Sequence, residues 1–363
     1  MKIGIDGLGF VSPWGETFES FYTNYHARQS AIRPIDRFDT TQITAKSAAL
    51  VSEFDAKKYI DPKKVRKYDT FSRFGISTAK LALQSSQVQL SAEQRENMGI
   101  VLSCESQNMV TAEYLDVLYR EGADHVSPKL FSIASANSAN CSIAMEIDVH
   151  GPSVNVSSHF ASGFLSVYTG SQLIRAGQTD HCLVGSIDYL SQPVMECYTR
   201  MNAYKTQDSE RGFVPGEGSA SLVLSNQEGQ YGTILGLSYI CSSQKNYLWP
   251  TDSKLHAEVL KKAIGEHKID KFQSTSNGDK IVNQLDSEAY ELIFKDEAQK
   301  PEKVFIKSYL GEFSSIPIFQ VISACCEPQG TKTLISVTSV GGVHGALLVI
   351  SSGYKGLQNA VGF

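Results

Sequence analysis

Residues 151–176 read GPSVNVSSHFASGFLSVYTGSQLIRA, and the change of period inside this stretch decides the fold class. Residues 153–158 form a β-branched run introduced by Gly and Pro, as an interior strand does, whereas residues 162–176 are apolar nearly all round, as a buried helix is. A strand that runs at once into a covered helix is the unit of a layered α/β protein. The alternation extends in both directions. Residues 2–9, 100–103, 182–186 and 220–224 are short apolar runs bounded by Gly, Ser or Pro, and residues 71–83 repeat apolar side chains at Phe71, Phe74, Ile76, Leu81 and Leu83. Strands apolar on both faces need cover on both faces, so the expected fold is α/β with helices on each side of the sheet.

After Leu224 the sequence turns polar through residues 225–232, and a second strand–helix series follows over residues 232–240, 255–267, 304–307, 334–339 and 346–351. Val154-Asn155-Val156-Ser157-Ser158 is echoed there by Ile335-Ser336-Val337-Thr338-Ser339, β-branched residues alternating with small polar ones. The expected organisation is two related halves, residues 1–228 and a shorter 229–363. No Pro-rich, Gly/Ser-rich or charge-block linker lies between them, which predicts one compact body.

A chain of 363 residues with 42% hydrophobic and 20% charged residues can bury a large core and is unlike a disordered or collagenous protein. Lys and Arg total 33 against 38 Asp and Glu, a net charge of −5, so nothing drives it toward nucleic acid or anionic lipid. Its seven cysteines (Cys104, Cys141, Cys182, Cys197, Cys241, Cys325, Cys326) contain no C-x-x-C pair, which suits reduced thiols and argues against zinc. The opening MKIGID places charges where a secretory signal needs an unbroken apolar stretch, and no run approaches a membrane span. The expected location is cytoplasmic, with neither a membrane nor a nucleic acid as partner.

Five segments together carry a resemblance. MKIGIDGLGFVSPWG (1–15), FDAKKYIDPKKVRKYDTFSRFGISTAKLAL (54–83), GPSVNVSSHFASG (151–163), RGFVPGEG (211–218) and KSYLG (307–311) follow one another as the corresponding segments do in the β-ketoacyl synthases, the condensing enzymes of the thiolase fold. The resemblance implies a thiolase-like fold of two pseudo-duplicated halves in five αβαβα layers, with no cofactor. It also implies chemistry by one cysteine and two histidines. A cysteine at the N-terminus of a buried helix becomes a thiolate that accepts an acyl group, and two imidazoles stabilise the enolate formed when malonyl loses its carboxylate.

Each of those positions is altered. The nucleophile position falls on Phe160, whose ring has no lone pair with which to attack a thioester. The first histidine position falls near Asn277, whose amide donates a hydrogen bond but exchanges no proton near neutrality. The second falls on Glu312, and a carboxylate about 4 Å from an enolate opposes it by roughly 4 kcal/mol at an effective dielectric near 20. A degenerate member of this kind is similar to the chain-length factors of type II polyketide synthases, which pair with a catalytic ketosynthase and shape the tunnel for a chain borne by an acyl carrier protein. The members of that group carry Gln where Phe160 stands. By the same resemblance Asn108, Thr111 and Leu115 align with side chains that project across the dimer interface; spaced by three and four, they share one face if the segment is helical.

Competing readings of these residues stay open at this level. His159 and His344 are candidates for a vestigial pocket, or ordinary loop histidines. Phe160 reads as filling for a vacated site, and Asn108, Thr111 and Leu115 equally as dimer or core packing. A repurposed acyltransferase or hydrolase using Ser158, His159 or His344 is the alternative function, although no G-x-S-x-G motif surrounds the serines.

Overall fold

The computed structural model describes residues 2–353 apart from 87, 89, 106, 107, 134, 136, 244, 246 and 296–298. Its ten-stranded sheet is two five-stranded sheets joined edge to edge. The first half supplies β1 (Ile3–Val11), β2 (Gly99–Ser103), β3 (Ser153–Asn155), β4 (His181–Asp188) and β5 (Gly218–Ser225). The second supplies β6 (Gly232–Cys241), β7 (Lys271–Gln273), β8 (Glu302–Val304), β9 (Lys332–Ser339) and β10 (Val343–Ser351). The spatial order is β8-β7-β9-β10-β6-β1-β5-β4-β2-β3.

Read inward from either edge, each half runs third, second, fourth, fifth, first. The senses match as well: the second strand pairs in parallel with the third and fourth (β2 with β3 and β4, β7 with β8 and β9), and the remaining pairings are antiparallel. The seam is short: Ile3–Ile5 of β1 runs antiparallel to Gly232–Ile234 of β6. The duplication hinted at by one five-residue echo is thus a full repeat of topology.

Helices complete the five layers. On the outer face of the first sheet lie α1 (Thr70–Ser86) and α3 (Ser138–Ile147), the latter following α2 (Asn108–Glu121). Between the sheets lie α4 (Ser162–Arg175) and, after α5 (Gln192–Arg200), α6 (Ser253–Ile264) and α7 (Lys280–Phe294) on the outer face of the second sheet, the central α8 (Ile316–Cys325). The strands are buried on both faces: Ala220, Leu222 and Leu224 of β5 join the central core, while Val223 between them faces the outer one. Likewise Leu347 and Val349 of β10 point inward and Ala346 and Leu348 outward.

Glycine lets the first strand of each half meet its helix closely. A Cβ on Gly9 would lie 2.1 Å from the Thr78 carbonyl oxygen of α1, and one on Gly236 would lie 1.9 Å from that of Ala263 in α6. The expected strand over 304–307 is corrected: β8 ends at Val304, and Lys307–Leu310 forms one helical turn closed by Gly311 at φ 76°. The strand expected over 153–158 ends at Asn155: the Val156 N–H still donates to the Leu102 carbonyl (3.0 Å), but the Ser158 N–H donates to a side chain described below.

Candidate functional site

The central helices meet where the Gly163 N–H of α4 donates to the Ser314 carbonyl just before α8 (2.9 Å). A turn over His159–Ala161, with His159 at φ 48°, sets Phe160 at the tip of α4. The Phe160 ring stacks on Trp249 (5.3 Å between centroids, 16° between planes) and takes the Phe213 ring at 4.9 Å and 71°. Beside them opens a cavity of about 880 Å³, lined by these three rings and by Tyr198 and Tyr204. Phe160 thus belongs to a packed aromatic cluster at the start of α4.

Carboxylates stand around this cluster. Glu105, just beyond β2, accepts from the Ser158 N–H at 2.9 Å and from the Ser162 hydroxyl, so an acid already occupies the electropositive end of α4. Asp188 closes β4 and accepts from the Ser314 hydroxyl (2.6 Å), the Ser315 N–H (2.8 Å) and the Ser315 hydroxyl (3.1 Å). Burial pushes its carboxyl up to about 7 despite those donors, with nearby Glu105 adding to the rise.

Glu312 is fully enclosed and paired. Its Oε2 accepts from Lys307 Nζ at 2.9 Å and from Asn277 Nδ2 at 2.8 Å, and burial pushes its pKa upward while Lys307 pulls it back. Lys307 is buried too and reaches Thr275 Oγ1 at 3.4 Å. The repulsion expected from an isolated carboxylate is therefore corrected, because an ammonium 2.9 Å away neutralises it. Asn277 and Glu312 sit together, hydrogen-bonded to each other, and neither shuttles a proton as a histidine does.

The structure separates the two candidate histidines. His159 lines the cavity. His344 lies on β10 with the parity of Ala346 and Leu348, so it points into the outer layer, where its Nδ1 is 3.3 Å from Nδ1 of His256 on α6. It is thereby corrected as a pocket residue. Burial pulls His256 down to about 3, helped by His344, and His344 down to about 4. Asn108, Thr111 and Leu115 do fall on one helix, α2, where Leu115 is 39% exposed; the side chain of Asn108 lies outside the described residues.

Sequence reasoning missed Glu105, Asp188, Trp249 and the Lys307–Glu312 pair. Only Asp188 left a signal, an acid ending the buried run CLVGSID. Among the described residues no His, Cys, Asp and Glu group is arranged to hold a metal ion, and no helix is long and apolar enough to cross a membrane.

The comparisons agree with this architecture. The model of the family described as beta-ketoacyl synthase, N-terminal domain, matches residues 1–229. The 3-oxoacyl-[acyl-carrier-protein] synthase 2 of Coxiella burnetii is 26% identical over 241 residues, 62% of this chain and 58% of that protein, so the match spans little more than half the relative's length. A protein of Streptomyces violaceoruber named as granaticin polyketide beta-ketoacyl synthase 1 is 24% identical over 99% of this chain and 97% of its own. Among solved structures, the ishigamide ketosynthase/chain length factor superposes with a TM-score of 0.83 at 18% identity, covering 97% of this chain and 99% of that one. A type II PKS acyl-carrier protein in complex with its ketosynthase gives 0.81 at 16% identity, covering 96% and 99%.

Proposed function

The chain belongs to the β-ketoacyl synthase family, and from that premise we propose that it is a non-catalytic, chain-length-factor-like subunit that pairs with an active ketosynthase in a type II polyketide synthase. It helps shape the tunnel for a polyene or aromatic polyketide chain carried by an acyl carrier protein, in the cytoplasm. Its two halves, meeting near residues 228 and 229, act as one body.

A single observation carries this reading: the tip of α4 bears Phe160, locked between Trp249 and Phe213, where the family's chemistry needs a thiolate. The surroundings support it. An acid, Glu105, occupies the helix end that would stabilise an anion, and the two positions that would hold imidazoles are an amide and a carboxylate bonded to each other. The partner assignment is supported by the names of similar structures, which include a ketosynthase/chain length factor and a ketosynthase with its acyl-carrier protein. It is supported also by α2, which exposes Leu115 and, four residues on, Tyr119 at 83%.

The test is co-expression with a ketosynthase of the same pathway, followed by loading with labelled malonyl and starter units. A stable one-to-one complex with the acyl label on the other subunit alone is expected. A covalent acyl adduct on this chain, or malonyl breakdown by it in isolation, overturns the proposal. Acyl-thioester hydrolysis abolished by Ser158→Ala or His159→Ala points instead to an independent hydrolase.

A further inference from the structure

A second pocket, of about 350 Å³, opens where residues 51–57 cross the start of α1. Its floor is apolar. Val51 and Val65 are buried there, the Phe54 ring meets that of Phe74 at 4.6 Å and 65°, and Tyr189 stands against Phe74 at 6.0 Å. An apolar floor under a small open pocket suits the hydrocarbon part of a small molecule.

The rim is basic, with Arg37, Lys57 and Arg73 set against one lining acid, Asp55. Arg37 is already engaged: it holds the buried Glu217 through both terminal nitrogens and lies over the Tyr189 ring at 4.8 Å. Asp55 closes a turn by accepting from the Lys57 N–H at 3.0 Å. Lys57 is exposed, and neither its ammonium nor the Arg73 guanidinium has an ion pair among the described residues. Arg73 is half-buried and uses Nε alone, donating to the Val65 carbonyl at 3.2 Å. Its Nη1 and Nη2 have no recorded hydrogen bond and are not sealed off, so solvent reaches them.

Two unpaired cations against one carboxylate leave the pocket positive. Residues 52–73, which supply most of its lining, carry seven Lys and Arg against four Asp and Glu, in a chain of net charge −5. A ligand ammonium entering here meets like charge. The free edge formed by Nη1 and Nη2 of Arg73 matches the two oxygens of a carboxylate, the pairing in which a guanidinium is strongest.

We propose that this pocket binds a small organic acid with an apolar body, its carboxylate on Nη1 and Nη2 of Arg73, its hydrocarbon portion over Phe54 and Phe74, and Lys57 adding positive charge at the mouth. The proposal goes beyond the partner-subunit reading and does not depend on it, because every residue it uses belongs to this chain and its test involves no ketosynthase.

The experiment titrates the full chain by calorimetry at pH 8 and low salt with three matched compounds, 3-phenylpropionate, 3-phenylpropanol and 3-phenylpropylammonium. The carboxylate is expected to bind about tenfold or more tightly than the alcohol, with no measurable binding of the ammonium. Equal binding of acid and alcohol, tighter binding of the ammonium, or no binding of the acid overturns the proposal. Two variants locate the site. Arg73→Gln is expected to erase the preference for acid over alcohol, and retention of the preference counts against the assignment. Should that variant fail to fold, having lost the bond to Val65, the exposed Lys57→Gln serves instead: it should cut the preference several-fold, and an unchanged preference refutes the electrostatic argument. Failure of these titrations leaves the acyl-label test of the partner role untouched.

Discussion

Replacing Lys307 by Met tests how the surroundings of Glu312 are held together. The ammonium lies 2.9 Å from Oε2 of Glu312, with the two side chains 2% and 0% exposed. At an effective dielectric near 20, that separation corresponds to about 6 kcal/mol of attraction, most of it offset by the cost of taking both charges out of water. Lys307→Met keeps the stem volume but leaves the carboxylate with Asn277 Nδ2 as its remaining recorded side-chain donor. Glu312, whose pKa burial already raises, then takes up a proton or stays charged at a penalty. Breaking one side of a buried pair costs about 3–5 kcal/mol, whereas the double replacement Lys307→Met with Glu312→Leu should fall near neutral or stabilise by about 1–4 kcal/mol. Urea unfolding followed by tryptophan fluorescence reads this out, since Trp249 lies on the cavity wall and Trp14, the other tryptophan, reports the central core. A single variant as stable as the parent, or a double variant as weak as the single one, would falsify the account of a mutually dependent pair.

Four further outcomes are expected. His256 and His344 have pKa values of about 3 and about 4 in the fold against roughly 6.5 unfolded, so between pH 6.5 and 4 the unfolded chain binds protons the fold does not, and stability falls as pH falls. Removing one titrating group by His344→Gln should flatten the slope of unfolding free energy against pH by about 1.4 kcal/mol per unit between pH 4.5 and 6, and an unchanged slope means the buried pair does not control acid stability. Gly163→Ala places a Cβ 2.9 Å from the Ser314 carbonyl oxygen, which should lower stability by about 1–3 kcal/mol in thermal unfolding unless the central helices separate freely. Asn108→Trp, at the start of α2, should shorten the polyketide released by the reconstituted complex; the same product mass would remove α2 from the control of chain length. Phe160→Cys should give a thiol with a pKa at or above about 8.5, because Glu105 holds the end of α4, and rapid alkylation at that cysteine near pH 6 would show that helix end to be free.

The fold was legible because its interior strands carry their own punctuation. Residues 182–186 and 220–224 are apolar runs ended by small residues, and each became a strand, β4 and β5, three residues longer than the run. Lys307 was misplaced in a strand because the apolar run before it looks the same whether it ends in a sheet or in a turn; Gly311 at positive φ decided the matter, and one glycine does not announce its φ. His344 was misassigned for a related reason. Its neighbours Val343 and Gly345 gave no face, and only the alternation along the completed β10 shows that it points outward.

The acids around α4 were invisible for a deeper reason, since their meaning depends on residues far away in sequence. Glu105 counts as an anion at a helix end only once Ser158 and Ser162 have been brought to it, and Glu312 changes from a repulsive charge to half of a neutral pair only when the one-turn helix delivers Lys307. Glu105 and Phe160 therefore belong together. A thiolate at the tip of α4 and the Glu105 carboxylate would compete for the same donors, and an aromatic ring at Phe160 removes that conflict while closing the space.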